Sequence, residues 1–283
     1  MIELGAERYG KSAIRLVKVV RSPTGNTVRD LTIAISLEGD FAAAYTDGDN
    51  TGVIATDTMK NTAYAFARDR LSGAIEAYGR ALTEHFLDFP QVERATVTIR
   101  EHRWSPIPTP NGPSNDALSR DPSMTRLAVV TGTRDGFVVE AGIEDLTVMK
   151  TAKSSFAGFP RDGYTTLPEA TDRIMATRLS ARWRYEAGDG SMEPDHDALF
   201  AGIRDTLLEV FAVHDSPSVQ ASIWIIGRAI LERHPAVAEI SFALPNLHHL
   251  SVDLTPFGIA NQNDVFVATS EPHGLIEATV RRS

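Results

Sequence analysis

Leu31-Thr32-Ile33-Ala34-Ile35-Ser36-Leu37-Glu38 puts a large apolar residue at every odd position and a small or polar one at every even position. Successive side chains of a β-strand point to opposite faces, so this period of two specifies a strand with one buried face. Residues 14–21 upstream are also strand-like, and Ser22-Pro23-Thr24-Gly25-Asn26 between the two is turn chemistry. The pair reads as an antiparallel hairpin. Downstream, Leu71, Ile75, Tyr78, Leu82 and Phe86 fall at helical spacing and form the apolar stripe of a long helix. Its start lies near Thr56-Asp57-Thr58, with Asp57 as the expected N-cap. After Pro90 comes a strand with Ala95, Val97 and Ile99 on one face. Residues 104–120 are rich in Pro, Asn and Ser and read as a loop, followed by strands over 127–131 and 137–140.

The second half repeats this order. Residues 180–186 are strand-like. Ile203, Leu207 and Val210 mark one helix, and Val219, Ile223, Ile226 and Ile230 mark another. Strands follow near 239–244, 249–254, 264–268 and 275–281. Arg80-Ala81-Leu82 leads through Pro90-x-Val92 to a strand, and Arg228-Ala229-Ile230 leads through Pro235-x-Val237 to another. This echo predicts an α+β protein of two similar halves, each with helices on one face of an antiparallel sheet. The boundary is expected near residue 135, giving domains 1–135 and 136–283. Open sheets of this kind can pair edge to edge in a symmetric oligomer and close a barrel.

The whole chain has 283 residues, and its 28 basic and 37 acidic side chains give a net charge of −9. An acidic chain lacks the basic face that nucleic acid or an anionic membrane requires. Without cysteine, a disulfide scaffold, thiolate zinc sites, Fe–S clusters and a cysteine nucleophile are excluded. No glycine-spaced dinucleotide fingerprint or phosphate-loop lysine is present. The eight histidines make no metal signature; His248 and His249 are adjacent on a strand and point to opposite faces. Asp47, Asp49 and Asn50 offer oxygen ligands, but the glutamate that completes a calcium loop is missing. The N-terminus has no basic start and no apolar core, no apolar run approaches a membrane span, and Arg281-Arg282-Ser283 is not a peroxisomal address. A cytoplasmic protein is expected.

Two helix starts carry polar chemistry. In Asp215-Ser216-Pro217-Ser218-Val219-Gln220, Ser216 is the expected cap and Pro217 the first helical residue. Val219 then lies in a first turn whose free N–H groups attract an anion, with the Gln220 amide beside it; an ordinary cap uses the same residues. In Tyr164-Thr165-Thr166-Leu167-Pro168-Glu169, Thr166 and Glu169 have capping-box spacing, with Arg173 one turn further on. Phe156 reads equally as packing.

Together these residues resemble the urate oxidase (uricase) family. The likeness runs through Tyr9-Gly10-Lys11-Ser12, Gly39-Asp40-Phe41, Ala55-Thr56-Asp57-Thr58-Met59-Lys60-Asn61-Thr62 and Ser155-Phe156-x-Gly158-Phe159. It continues through Tyr164-Thr165-Thr166-Leu167, Asp172-Arg173, Ser218-Val219-Gln220 and Leu244-Pro245-Asn246-x-His248, and closes with Gly274-Leu275-Ile276. The resemblance implies two tunnelling-fold domains per chain and a homotetramer whose sheets close into barrels, with active sites at subunit interfaces. It implies oxidation of urate with O₂ and water to 5-hydroxyisourate and H₂O₂, with no metal or organic cofactor. Arg173 and Gln220 match the clamp on the purine edge, Phe156 the aromatic stacked on its face, and Leu167 and the Val219 backbone the pocket lining. Lys11, Thr56 and His248 match the catalytic relay, and Asn246 the residue that holds O₂ or water above the ring. Thr56 and Asp57 match positions that reach the pocket from a neighbouring subunit. A lysine serves as base when desolvation or nearby positive charge lowers its pKa, and a guanidinium fork suits an anionic ring.

The chain departs from the family at Asn115-Asp116-Ala117-Leu118, where a His-Ser-Phe stretch is usual. It also lacks the peroxisomal tripeptide of eukaryotic members, which implies a bacterial-type cytoplasmic enzyme. Two alternatives are another tunnelling-fold purine or pterin enzyme, which would clamp its ring with glutamate rather than Gln220, and a purine-binding tetramer without catalysis.

Overall fold

The structure is a computed structural model that describes residues 2–186 and 194–283. The hairpin is β1 (Tyr9–Val20) against β2 (Thr27–Gly39), antiparallel, with Ile14 opposite Ile33 and Leu16 opposite Leu31. The short α1 (Ala42–Thr46) follows β2. The long helix is in fact two, α2 (Thr56–Arg70) and α3 (Ile75–Leu87). Ser72-Gly73 interrupts the pattern, since glycine is the poorest helix former after proline. The end of α2 is sealed from the sheet: Lys18 Nζ on β1 donates to the carbonyls of Ala67, Arg68 and Leu71, each at 2.9 Å. At its start the N-cap is Ala55, with no side-chain cap. Asp57 lies inside the first turn, where its charge still complements the helix dipole.

β3 (Val92–Thr109) and β4 (Gly112–Thr133) continue the sheet in the order β1-β2-β3-β4, all antiparallel. The expected loop over 104–120 is instead the outer arm of this hairpin: Trp104 faces Arg120, Ser105 faces Ser119 and Thr109 faces Gly112. A two-stranded ribbon has a free edge along each strand, where proline loses no ladder bond. Register shifts between His102 and Trp104 and between Pro106 and Pro108 absorb the remaining misfit.

By packing the chain divides into two units, one of Met1–Gly142 with Ala187–Phe200 and one of Ile143–Glu186 with Ala201–Ser283. In the first, α2 and α3 cover one face of the sheet. Leu31, Ile33, Leu37, Tyr78, Leu82, Phe86, Val97 and Ile99 are fully buried there, each worth about 1.5–3 kcal/mol of transfer free energy. Arg126 on β4 is buried with Glu76 of α3 at 2.8 Å and bonds Asp197 at 2.6 Å.

The second unit contains part of β5 (Gly136–Lys150), then β6 (Met175–Tyr185), most of α4 (His196–Val213), α5 (Val219–Arg233), β7 (Val237–Ser251), β8 (Phe266–Thr269) and β9 (Leu275–Arg281). β7 pairs antiparallel with β6 and β9, and its last four residues pair with β8. The strands expected near 239–244 and 249–254 fuse within β7, which ends at Ser251. The first unit's device recurs: Lys150 Nζ donates to the carbonyls of Phe211 (2.8 Å) and Ala212 (3.1 Å) at the end of α4. Gly227 lets α5 touch the sheet, since a Cβ there would lie 2.6 Å from Val280 Cγ2. Apart from the short α1 in the first half and the extra strand β9 in the second, the order strand, strand, helix, helix, strand, strand thus occurs twice, so the chain is α+β with two tunnelling-fold domains. Among the described residues no helix is long and apolar enough to cross a membrane.

Gly227→Val should lower the unfolding free energy by about 1–3 kcal/mol through overpacking against Val280, read from urea denaturation. Burial pulls the pKa values of His102 and His234 below the ordinary 6.5. The unfolded chain therefore binds more protons just below that pH, so this stability is present above pH about 6.5 and lost as pH falls. Thermal midpoints at pH 5 and 7 test it; an equal or higher midpoint at pH 5 contradicts the sign.

Candidate active site

In the second unit three chain segments meet before the first turn of α5. Ser216 bonds the segment beside Phe156 on both sides: its N–H donates to Lys153 O (2.9 Å), and its carbonyl accepts from Ser155 N–H (2.8 Å). On its other edge this segment takes Arg173 N–H at Ser154 O (2.7 Å), and Phe156 exchanges two backbone bonds with Ala170 (2.8 and 3.0 Å). The result brings Phe156 and Arg173 together, the guanidinium carbon 5.1 Å from the ring centroid. Phe159 stacks on Phe156 at 5.0 Å and 14°. Arg173 Nε is buried with no hydrogen-bond partner, as is Ser154 Oγ, and burial pulls the Arg173 pKa down. A buried donor without an acceptor costs about 1–3 kcal/mol, so Nε calls for an acceptor from outside the chain.

Val219 is the first residue of α5. The cap is Ser218, whose hydroxyl accepts from Ala221 N–H at 3.1 Å, rather than Ser216, which is buried beneath the turn. Gln220 is exposed on the same turn. Because α5 returns directly into β7, the two run antiparallel, and Gly227 lies against Phe242. From there the eight residues back to Val219 and the four forward to Asn246 each span about 12–13 Å. Asn246 therefore lies level with the start of α5. Ile240, Phe242 and Leu244 are buried on the face of β7 that α5 covers, and Asn246 and His248 continue that row past the cover.

In the first unit Lys11, Thr56 and Asp57 come together. The residues of β1 turned toward the helices are Tyr9, Lys11, Ile14, Leu16 and Lys18. Strict alternation would break between Lys11 and Ile14. A β-bulge there, with Ala13 at φ +55°, inserts one residue and keeps Lys11 on the inner face. Gly10 is required beside it, since a Cβ would come within 1.9 Å of Ile35 O. With Lys18 at the end of α2 and Lys11 seven residues earlier, β1 and α2 run in parallel, which puts Lys11 at the start of α2. Its charge is felt there: Asp57, bonded to Lys60 and Asn61 (2.9 Å), is held below the usual carboxylate range by Lys60 first and also by Lys11. Tyr9 OH accepts from Ile54 N–H at 2.8 Å, anchoring the approach to Thr56.

The helix start expected at Thr166 does not hold. Residues 164–169 start no helix; Glu169 instead accepts from Gly158 N–H at 3.0 Å. Leu167 is half exposed on this loop, with its carbonyl held by Arg161 at 3.1 Å. Asp49 and Asn50 bond their own turn, and no group of His, Asp and Glu able to hold a metal occurs among the described residues. Sequence reasoning gave no separate role to Tyr9, Lys18, Lys150 or Ser222, and it took Ser216 for the cap of α5. The serines alone left a signal: Ser216, Ser218 and Ser222 crowd one helix start.

Comparison with known proteins bears on this arrangement. A family model described as Uricase matches residues 7–131 and 139–277. A uricase of Arthrobacter globiformis is 45% identical over 99% of this chain and 90% of its own length, and one of Aspergillus flavus is 36% identical over 100% and 98%. The crystal structure of the Arthrobacter globiformis uricase superposes with TM-score 0.93 over 100% of this chain and 96% of that one, at 46% identity. A uricase from Bacillus fastidious superposes with TM-score 0.85 at 26% identity, covering 98% and 94%.

Arg173→Met removes a buried donor that lacks an acceptor. The variant should unfold at the same or higher urea concentration than the parent while losing affinity for a flat anionic ring by about 100-fold or more. Urea melts and isothermal titration measure both; a large loss of stability contradicts the reading.

Proposed function

The chain belongs to the uricase family, and from that premise we propose how it works as a urate oxidase. Urate, O₂ and water become 5-hydroxyisourate and H₂O₂. Two electrons pass from the ring to O₂, which leaves with two protons as H₂O₂, and the oxygen of water is added to the ring. The observation that carries the proposal is Arg173, whose Nε is buried without a partner beside Phe156 and the start of α5.

In this proposal Arg173 and Gln220 clamp the purine edge. A guanidinium donates in one plane to neighbouring acceptors and stays charged. Gln220 offers both a donor and an acceptor, as an oxo-purine requires. Phe156 stacks on the ring, the Val219 N–H at the head of α5 faces its negative charge, and Leu167 closes the pocket. Asn246 and His248, in one row on β7, stand over the site, Asn246 holding O₂ or water. Lys11 and Thr56 move protons through ordered water, oriented with His248. Thr56 and Asp57 reach this pocket from a second copy of the chain, within a homotetramer that works in the cytoplasm. No metal or organic cofactor takes part.

Loss of urate absorbance with release of H₂O₂ should persist after chelator treatment; no turnover in metal-free buffer would overturn the cofactor-free reading. Lys11→Ala and Thr56→Ala should each slow turnover by about 10²–10⁴-fold with xanthine binding retained. Unchanged turnover would remove them from the relay.

A further inference from the structure

A chain of buried polar groups lies under the proposed clamp and touches none of the reacting atoms. His214 follows the last residue of α4, and its Nδ1 is 2.7 Å from Val210 O. A carbonyl only accepts, so Nδ1 carries the proton. Nε2, on the other side of the ring, lies 2.8 Å from Ser222 Oγ. Ser222 Oγ is in turn 2.8 Å from Ser216 Oγ. His214 Nδ1 donates to the last turn of α4, and each serine hydroxyl has one proton and a further acceptor within reach, Ser218 O, at 3.1 Å from Ser216 Oγ and 3.2 Å from Ser222 Oγ. Ser216 and Ser222 are only 2% and 1% exposed.

Both hydroxyls reach the carbonyl of the cap residue, but the cap on the free N–H groups is made by another side chain. Ser218 already caps α5, and Lys150 already holds the carbonyls of Phe211 and Ala212. A buried hydroxyl must find partners in a defined direction, and an alanine at 222 would take a partner from both His214 and Ser216. What the chain of bonds does fix is Ser216. Through its backbone Ser216 holds the segment that carries Phe156, and three residues later the chain presents Val219 and Gln220.

We propose that His214, acting through Ser222 and Ser216, is a positioning residue for urate. It sets the head of α5, with the Val219 N–H and Gln220, at a fixed offset from Phe156 and Arg173. The inference rests on the clamp assigned above. It is specific to ground-state binding, because Lys11, Thr56 and His248 lie outside the bonded chain.

The test compares the full-length enzyme with His214→Phe, which keeps a ring and loses both bonds, with Ser222→Ala, which cuts the chain in the middle, and with His214→Gln, which restores a hydrogen-bond partner toward Ser222. Expected are a rise of about tenfold or more in KM for urate and in Kd for xanthine for the first two, with kcat within about twofold. The double variant should be little worse than either single one, since both break one chain. His214→Gln should recover most of the affinity. An unchanged KM in Ser222→Ala overturns the proposal, as does a fall in kcat and thermal midpoint together with KM unmoved. If His214→Phe does not fold, Ser222→Ala and His214→Gln decide alone. Should the parent enzyme neither oxidise urate nor bind xanthine, the clamp itself is wrong; should it do both while the variants match it, only the role of His214 is wrong.

Discussion

Each half of this protein depends on a helix that approaches its sheet closely at a glycine. At Gly79 of α3 an added Cβ would lie 3.0 Å from Val130 and 3.4 Å from Ile99; at Gly227 of α5 it would lie 2.6 Å from Val280 and 3.3 Å from Phe242. These contacts fix each helix along its strands, and everything at the helix ends follows. Val219 comes level with Asn246 because Gly227 lies on Phe242, and the row Ile240, Phe242, Leu244 passes into polar residues where α5 stops covering it. The preceding helix in each half is held by a strand lysine that fills its last carbonyls, Lys18 for α2 and Lys150 for α4. Gly79-Arg80-Ala81 and Gly227-Arg228-Ala229 are the same three residues in the same structural place, so the echo in the sequence is a repeated contact.

Much of the fold was legible because the sheet and helix cores are periodic. Alternation over 31–38 and the stripe through Tyr78, Leu82 and Phe86 mark faces that are fully buried. Legibility failed where an aperiodic feature decided. Ser72-Gly73 splits a stripe that continues across the break. The prolines of 104–120 fit a ribbon whose edges need no donor. Thr166 and Glu169 have capping-box spacing without a helix to cap. The site was legible only through the family likeness. Phe156, Arg173 and Val219 are gathered by two isolated backbone bridges and one further backbone bond among irregular segments, and such contacts leave no periodic trace.

The electrostatics sharpen the meaning of a net charge of −9. Most cations with a visible role are committed to neighbours: Arg15 to Asp30, Arg29 to Glu101, Arg126 to Glu76 and Asp197, Arg233 to Glu209. Lys18 and Lys150 serve carbonyls. Arg173 differs in that desolvation weakens its hold on its proton while its Nε stays unmatched. Holding a desolvated cation costs stability, and an anionic guest offsets that cost on arrival.

The bulge at Ser12 and Ala13 makes β1 behave like a reading frame. Which residues look inward is set by counting along the strand, modulo two, and the extra residue shifts the count once. Lys11 owes its inward aim to that parity and not to any bond it makes. Deleting one of Ser12 and Ala13 would keep Lys11 opposite Ile35 and bring Ile14 opposite Ile33 with a single residue between them, so strict alternation would hold both inward. The same deletion between Ile14 and Leu16 has no bulge to take it up and would turn one of the two outward. The bulge is therefore where the strand absorbs a change of a single residue without turning its buried set over.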